Sequence, residues 1–130
     1  MNRYLLEIGT AIEHIAELII NPGERITIRR AKEDMPKFVF QGVGGSEYSL
    51  YLAGGRISRE HARFDSAAFS HSLSFTDLGS TNGSFICGQS CPANLPVKAE
   101  DGDVFRIASD YNIVVKRIKE RLERPAPTPA

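Results

Sequence analysis

Apolar residues in this chain recur in short runs with a period of two, and turn residues separate the runs. The clearest is Arg25-Ile26-Thr27-Ile28-Arg29, whose isoleucines fall on one face and charges on the other, as in a half-buried strand. Comparable runs lie at Arg3–Ile8, Tyr48–Leu52, Ala62–Asp65, Leu73–Asp77, Ser84–Ile86, Val104–Ile107 and Tyr111–Lys116, each bounded by Gly, Asn, Asp, Ser or Pro. Many short strands at this spacing predict an all-β fold, a sandwich or a barrel. One run is ambiguous, because Ile12, Ile15, Ala16 and Ile19 also satisfy an amphipathic helix. It is read as a strand over 15–20, joined into a hairpin with 25–29 by the turn residues Asn21-Pro22-Gly23-Glu24, where Pro pre-sets one backbone angle and Gly is free to take a positive one.

Residues 31–47 lack this pattern and read as a long loop. An apolar triplet, Phe38-Val39-Phe40, suits a short extra strand within it, ahead of the flexible Gly42-Val43-Gly44-Gly45. After Ile118 the chain alternates basic and acidic residues and then runs Pro125-Ala126-Pro127-Thr128-Pro129, which cannot form a packed element. The expected organisation is one domain over 1–118, with 119–130 a solvated tail or the start of a linker.

Composition narrows the functional classes. A length of 130 residues with 42% hydrophobic content suffices for one modest core without disulfides or metals. Sixteen Lys and Arg balance sixteen Asp and Glu, so no net field draws the chain to nucleic acid or to an acidic membrane surface. Any anion site must therefore be local. Charge interrupts the N-terminal apolar run too early for a signal-peptide core or a membrane span, and a cytoplasmic location is expected. Cys87 and Cys91 make no disulfide framework, and no further ligands stand near them at zinc-site spacing. Two free thiols, and neither metal nor cofactor, are expected.

The informative residues are two segments, Ile57-Ser58-Arg59-Glu60-His61-Ala62-Arg63 and Asp77-Leu78-Gly79-Ser80-Thr81-Asn82-Gly83-Ser84-Phe85-Ile86, with Arg30 upstream at the end of a strand. Ser-x-x-His alone is weakly specific; its combination with the Asp-to-Gly turn is strong. In this order the three pieces resemble the forkhead-associated (FHA) domain, and the resemblance runs from about Arg3 to Ile118. It implies a twisted β-sandwich of two largely antiparallel sheets, FHA/SMAD-like, with functional loops at one end. The implied activity is non-enzymatic recognition of a phosphothreonine-bearing protein, in signalling linked to a Ser/Thr kinase or in regulated assembly.

The resemblance also implies roles. Arg30 would contact the phosphate, since the planar guanidinium fork matches phosphate oxygens. Ser58 would donate its hydroxyl, and Arg59 would add positive charge at the rim. Thr81 would close over the phosphothreonine. Asn82 would pair with the ligand backbone, a task for which an amide offers both a donor and an acceptor. His61 would tie the loops together, with Asp77 and Gly83 supporting the turn, the Asn82-Gly83 pair favouring positive backbone angles.

Plainer readings exist for each residue. Arg30 is also an ordinary strand-end arginine, and Ser58 and Asn82 also suit turn capping. Ser58 and His61 as nucleophile and base would lack a nucleophile elbow, an oxyanion motif and an orienting acid. The Gly-rich stretches fit no phosphate-loop pattern. Two departures from the family stand out. Arg29 replaces the glycine that usually precedes the phosphate-binding arginine, where its bulk would crowd the site or its charge assist it; and the segment from Arg30 to Ser58 is expanded. Arg29 and Arg56 are thus reserve phosphate contacts. The alternative function is an FHA-fold scaffold that docks its partner independently of phosphate, for example in a secretion assembly.

Overall fold

The computed structural model describes residues 2–66 and 72–118; the expected tail at 119–130 lies outside them. The described residues form β1 (Arg3–Gly9), β2 (His14–Ile20), β3 (Arg25–Arg30), β4 (Phe38–Gly44), β5 (Glu47–Leu52) and β6 (Ala62–Asp65). There follow β7 (Leu73–Asp77), β8 (Ser84–Ile86), β9 (Gln89–Ser90), β10 (Val97–Ala99), β11 (Val104–Ile107) and β12 (Tyr111–Ile118). One sheet runs β2-β1-β12-β11-β8-β9 and the other β10-β7-β6-β3-β5-β4. Pairing is antiparallel except between β3 and β5. The result is an all-β sandwich, and among the described residues no helix is long and apolar enough to cross a membrane.

The period-two pattern builds the core. In β1 the even positions Tyr4, Leu6 and Ile8 are buried and the odd ones face outward. Ile26 and Ile28 of β3, Leu50 and Leu52 of β5, and Ile113 and Val115 of β12 join them. Each such side chain contributes about 1.5–3 kcal/mol by leaving water. Phe64 and Phe75 of one sheet meet Phe105 of the other, with ring centroids 4.9, 5.4 and 4.4 Å apart, and edge-on or tilted contacts suit the ring quadrupoles. This aromatic group fastens the two sheets at mid-height.

The segment 15–20 is a strand, as expected, paired with β1 through Tyr4↔Ile20 to Ile8↔Ala16. The hairpin to 25–29 does not exist. The turn at Asn21–Glu24 forms, with Gly23 at φ 86° and the Glu24 N–H donating to the Asn21 carbonyl at 3.0 Å, but it carries the chain from one sheet to the other. Turn chemistry reports where a chain changes direction; here Ile20 and Ile26 both have to reach the shared core, so β2 and β3 fall on opposite sides of it. The extra strand suggested within 31–47 forms, and it is longer than its apolar triplet. Residues 38–44 are an edge strand against β5, with a bulge between Gly42 and Gly44, and Phe40 stacks on Tyr48 at 5.3 Å.

The last residues of β12 return beside the start of β1, with Ile118 opposite Arg3 and Asn112 opposite Gly9. Both cysteines are free thiols, as the count suggested. Burial, and then the nearby Asp77 carboxylate, push the Cys91 thiol upward from its ordinary value, which keeps it protonated and inert.

Candidate functional site

Strand register alone gathers the two motifs. Arg30 ends β3 opposite Leu52 in the parallel β5, so the loop that leaves β5, residues 53–61, passes beside Arg30. That loop enters β6 at Ala62, which pairs with Asp77 at the end of β7. The 78–83 turn therefore emerges next to it. The Arg56 guanidinium reaches the β11–β12 turn, bonding Asp110 at 2.8 Å and Ser109 at 3.2 Å, so these loops share one end of the sandwich.

His61 joins the two loops from within. Fully buried, it accepts the Ser58 backbone N–H at Nδ1 (3.0 Å) and lies with Nε2 2.9 Å from the Gly83 carbonyl. Because Nδ1 accepts, Nε2 carries the proton and donates it to that carbonyl. Neither nitrogen is left for the Ser58 hydroxyl, so the pair is not arranged as nucleophile and base.

Asp77, only 3% exposed, shapes the second turn. Its carboxylate accepts the Gly79 and Ser80 N–H groups at 3.0 Å each and the Ser80 and Ser84 hydroxyls at 2.6 and 2.7 Å. Four donors on one carboxylate fix the course of residues 77–84. Of the Asn82-Gly83 pair only Gly83 takes a positive φ, 83°, so the expectation of positive angles at both is corrected. A Cβ on Gly83 would stand 3.4 Å from the Phe85 ring.

Thr81 and Asn82 project from this turn, exposed. The Thr81 N–H donates to the Ser58 hydroxyl oxygen at 3.0 Å, and the Asn82 side-chain amide donates to the Arg56 carbonyl at 3.0 Å. Since the Ser58 oxygen accepts from Thr81, its own hydrogen remains available to a ligand. Arg30 and Arg59 line an open concavity of about 700 Å³ on the other side of the 53–61 loop, with Arg29, Lys32, Glu33 and Tyr51. The structure thus bonds Thr81 to Ser58 and Asn82 to Arg56 of one loop, and sets Arg30 and Arg59 together in the concavity across that loop.

The arginines of β3 and of the 53–61 loop divide by partner. Arg25 pairs with Glu47 and Asp65, Arg29 with Glu60 at 2.8 Å, and Arg56 with Asp110. Arg30 and Arg59 are exposed and form no ion pair among the described residues. The reserve contact Arg56 is committed to Asp110. The reserve contact Arg29 lines the same concavity as Arg30 and Arg59, but its Nε donates to the Ser49 hydroxyl at 3.0 Å and its charge is paired with Glu60.

Beyond Asn82 a second concavity of about 380 Å³ is lined by Arg56, Phe85, Gly88, Arg106, Ala108 and Ser109. The Arg106 guanidinium carbon stands 6.0 Å from the Phe85 ring centre, a cation–π distance. Sequence reading passed over Lys32, Glu60, Phe85 and Arg106. Phe85 and Arg106 face each other across β8 and β11, a relation between distant segments that only pairing reveals.

A comparison of the sequence with curated proteins finds no match. Among solved structures, the FHA domain of the CT664 protein from Chlamydia trachomatis is 19% identical, with a TM-score of 0.65 over 88% of this chain and 96% of that one. An FHA domain of an Arabidopsis thaliana protein is 22% identical, with a TM-score of 0.68 over 95% and 92%. A third, from an analysis of phosphothreonine-dependent FHA domain interactions, is 18% identical, with a TM-score of 0.54 over 86% and 95%. At these identities the likeness is one of fold. The FHA-domain family model matches residues 42–108, which takes in both loop motifs and leaves Arg30 upstream. With a sandwich of that fold and the family pattern across half its length, the chain belongs to the FHA domain family, whose members are protein–protein interaction modules.

Proposed function

We propose that this domain binds a phosphothreonine-bearing segment of a partner protein, with no bond made or broken, and serves kinase-linked signalling or regulated complex assembly. The observation that carries the reading is the division among the arginines. Arg25, Arg29 and Arg56 spend their charge on carboxylates, whereas Arg30 and Arg59 stand unpaired beside the Ser58 hydroxyl's loop. A phosphothreonine brings about −1.5 to −2 charges and three acceptor oxygens, and two open guanidinium forks with a free hydroxyl supply matching donors. Thr81 flanks the phosphate, and Asn82 reaches the backbone of an extended peptide. His61, Asp77 and Gly83 hold the loops. A solved relative bound to the intracellular domain of another protein, and the phosphothreonine-dependent one above, support the class of partner.

The phosphate-independent alternative draws its strength from Arg29, yet that guanidinium is engaged by Ser49 and Glu60. Titration with a degenerate phosphothreonine peptide library and its unphosphorylated twin decides between the two. Binding of the phosphorylated library alone is expected; equal binding, or none, ends the reading. Within it, Ser58→Ala should weaken a selected phosphopeptide by about 1 kcal/mol, the worth of one ordinary hydrogen bond, or roughly fivefold by titration calorimetry.

A further inference from the structure

Arg29 stands where the family usually has glycine, and its partners suggest what it does there. Its Nε donates to the Ser49 hydroxyl at 3.0 Å and its NH1 to the Glu60 carboxylate at 2.8 Å. Glu60 follows Arg59 directly and precedes His61, so it belongs to the loop that bears Ser58. It is therefore the nearest acid in sequence to the cations meant for phosphate. Its side chain is 61% exposed, and Arg29 supplies the one ion pair it makes among the described residues.

We propose that Arg29 is a positioning residue that holds the Glu60 carboxylate on its own guanidinium, so that Arg30 and Arg59 stay unpaired for the partner's phosphate. The proposal rests on the phosphothreonine reading and gives it a charge balance. Around the concavity Arg29, Arg30, Lys32 and Arg59 face one carboxylate, Glu33, and with Glu60 held on Arg29 the surplus is two positive charges. That matches the roughly −1.5 to −2 of a phosphothreonine. Without Arg29, a released Glu60 pairing with Arg59 or Arg30 would leave half that surplus, and the ligand would have to displace it.

The Ser49 contact makes the clamp directional. Ser49 is buried in β5, and a guanidinium hydrogen-bonded to it at one nitrogen presents the next nitrogen along a fixed line. Glycine at 29 would leave Glu60 free to pair with Arg30 or Arg59. In this chain the family glycine is thus replaced by a residue that offsets an acid in its own phosphate loop.

The test is a cycle of Arg29→Gln, Glu60→Gln and the double variant, titrated with a phosphothreonine peptide selected from the degenerate library by the unaltered chain. Arg29→Gln should weaken binding about two- to fivefold, the range of one exposed ion pair. Glu60→Gln should change little alone and restore the loss in the double variant, a non-additivity that a simple loss of Arg29 charge would not give. In isotope-labelled protein without peptide, the side-chain Nε–H signal of Arg59 or Arg30 should shift in Arg29→Gln and return in the double variant. Additive effects, or unmoved arginine signals, overturn the clamp while leaving phosphothreonine binding intact. If the unaltered chain selects no phosphopeptide, the functional reading falls and the clamp's purpose with it.

Discussion

Arg30→Ala is expected to weaken a selected phosphothreonine peptide by about 1.5–3 kcal/mol, the range for a hydrogen bond to a charged group, or roughly ten- to 150-fold. The side chain is exposed, pairs with no acid among the described residues, and ends a strand whose inner positions are held by Ile26 and Ile28. Its removal should therefore leave the melting temperature unchanged, so that calorimetric binding and thermal unfolding separate cleanly. The loss should also shrink as salt is raised, because part of it is an attraction between partly exposed charges. Affinity equal to that of the unaltered chain would transfer the phosphate contact to Arg59 and refute the assignment of Arg30.

His61→Ala should act on the fold instead. The imidazole is fully buried and bridges the Ser58 N–H to the Gly83 carbonyl. Truncation loses two hydrogen bonds of about 1 kcal/mol each and leaves a void that the rigid loops cannot fill. The Ser58 N–H keeps no partner, whereas the Gly83 carbonyl still accepts the Ala108 N–H at 2.9 Å. A total near 3 kcal/mol should lower Tm by about 10 °C or more for a domain of this size, measurable by scanning calorimetry. Peptide binding should weaken along with it, since the loops that carry Ser58 and Thr81 lose their common anchor. A variant that melts normally and fails to bind would contradict the scaffold role.

Much of this architecture is legible in the sequence because turn residues bracket the strands tightly. Ala62–Asp65, Leu73–Asp77, Ser84–Ile86 and Val104–Ile107 fall on the residues that alternation picks out. What alternation cannot convey is pairing. The parallel contact of β3 with β5 brings Arg30 to the 53–61 loop, and no local signal marks it. The edge strand Phe38–Gly44 extends beyond the triplet Phe38-Val39-Phe40 that marks it, because its glycines read as loop but here end the strand in a bulge. The direction of Arg29, by contrast, was available in principle. It shares the parity of Arg25 and Thr27, opposite to Ile26 and Ile28, which places it on the outer face. Its Glu60 partner, 31 residues away, could come only from the folded chain.

Because Arg3 lies across from Ile118 while Gly9 lies across from Asn112, the polypeptide enters and leaves the sandwich side by side, at the pole remote from the recognition loops. A surface, a fluorophore or a neighbouring module joined at either point would hold the domain like a lamp on a short stem, with its reading head turned outward.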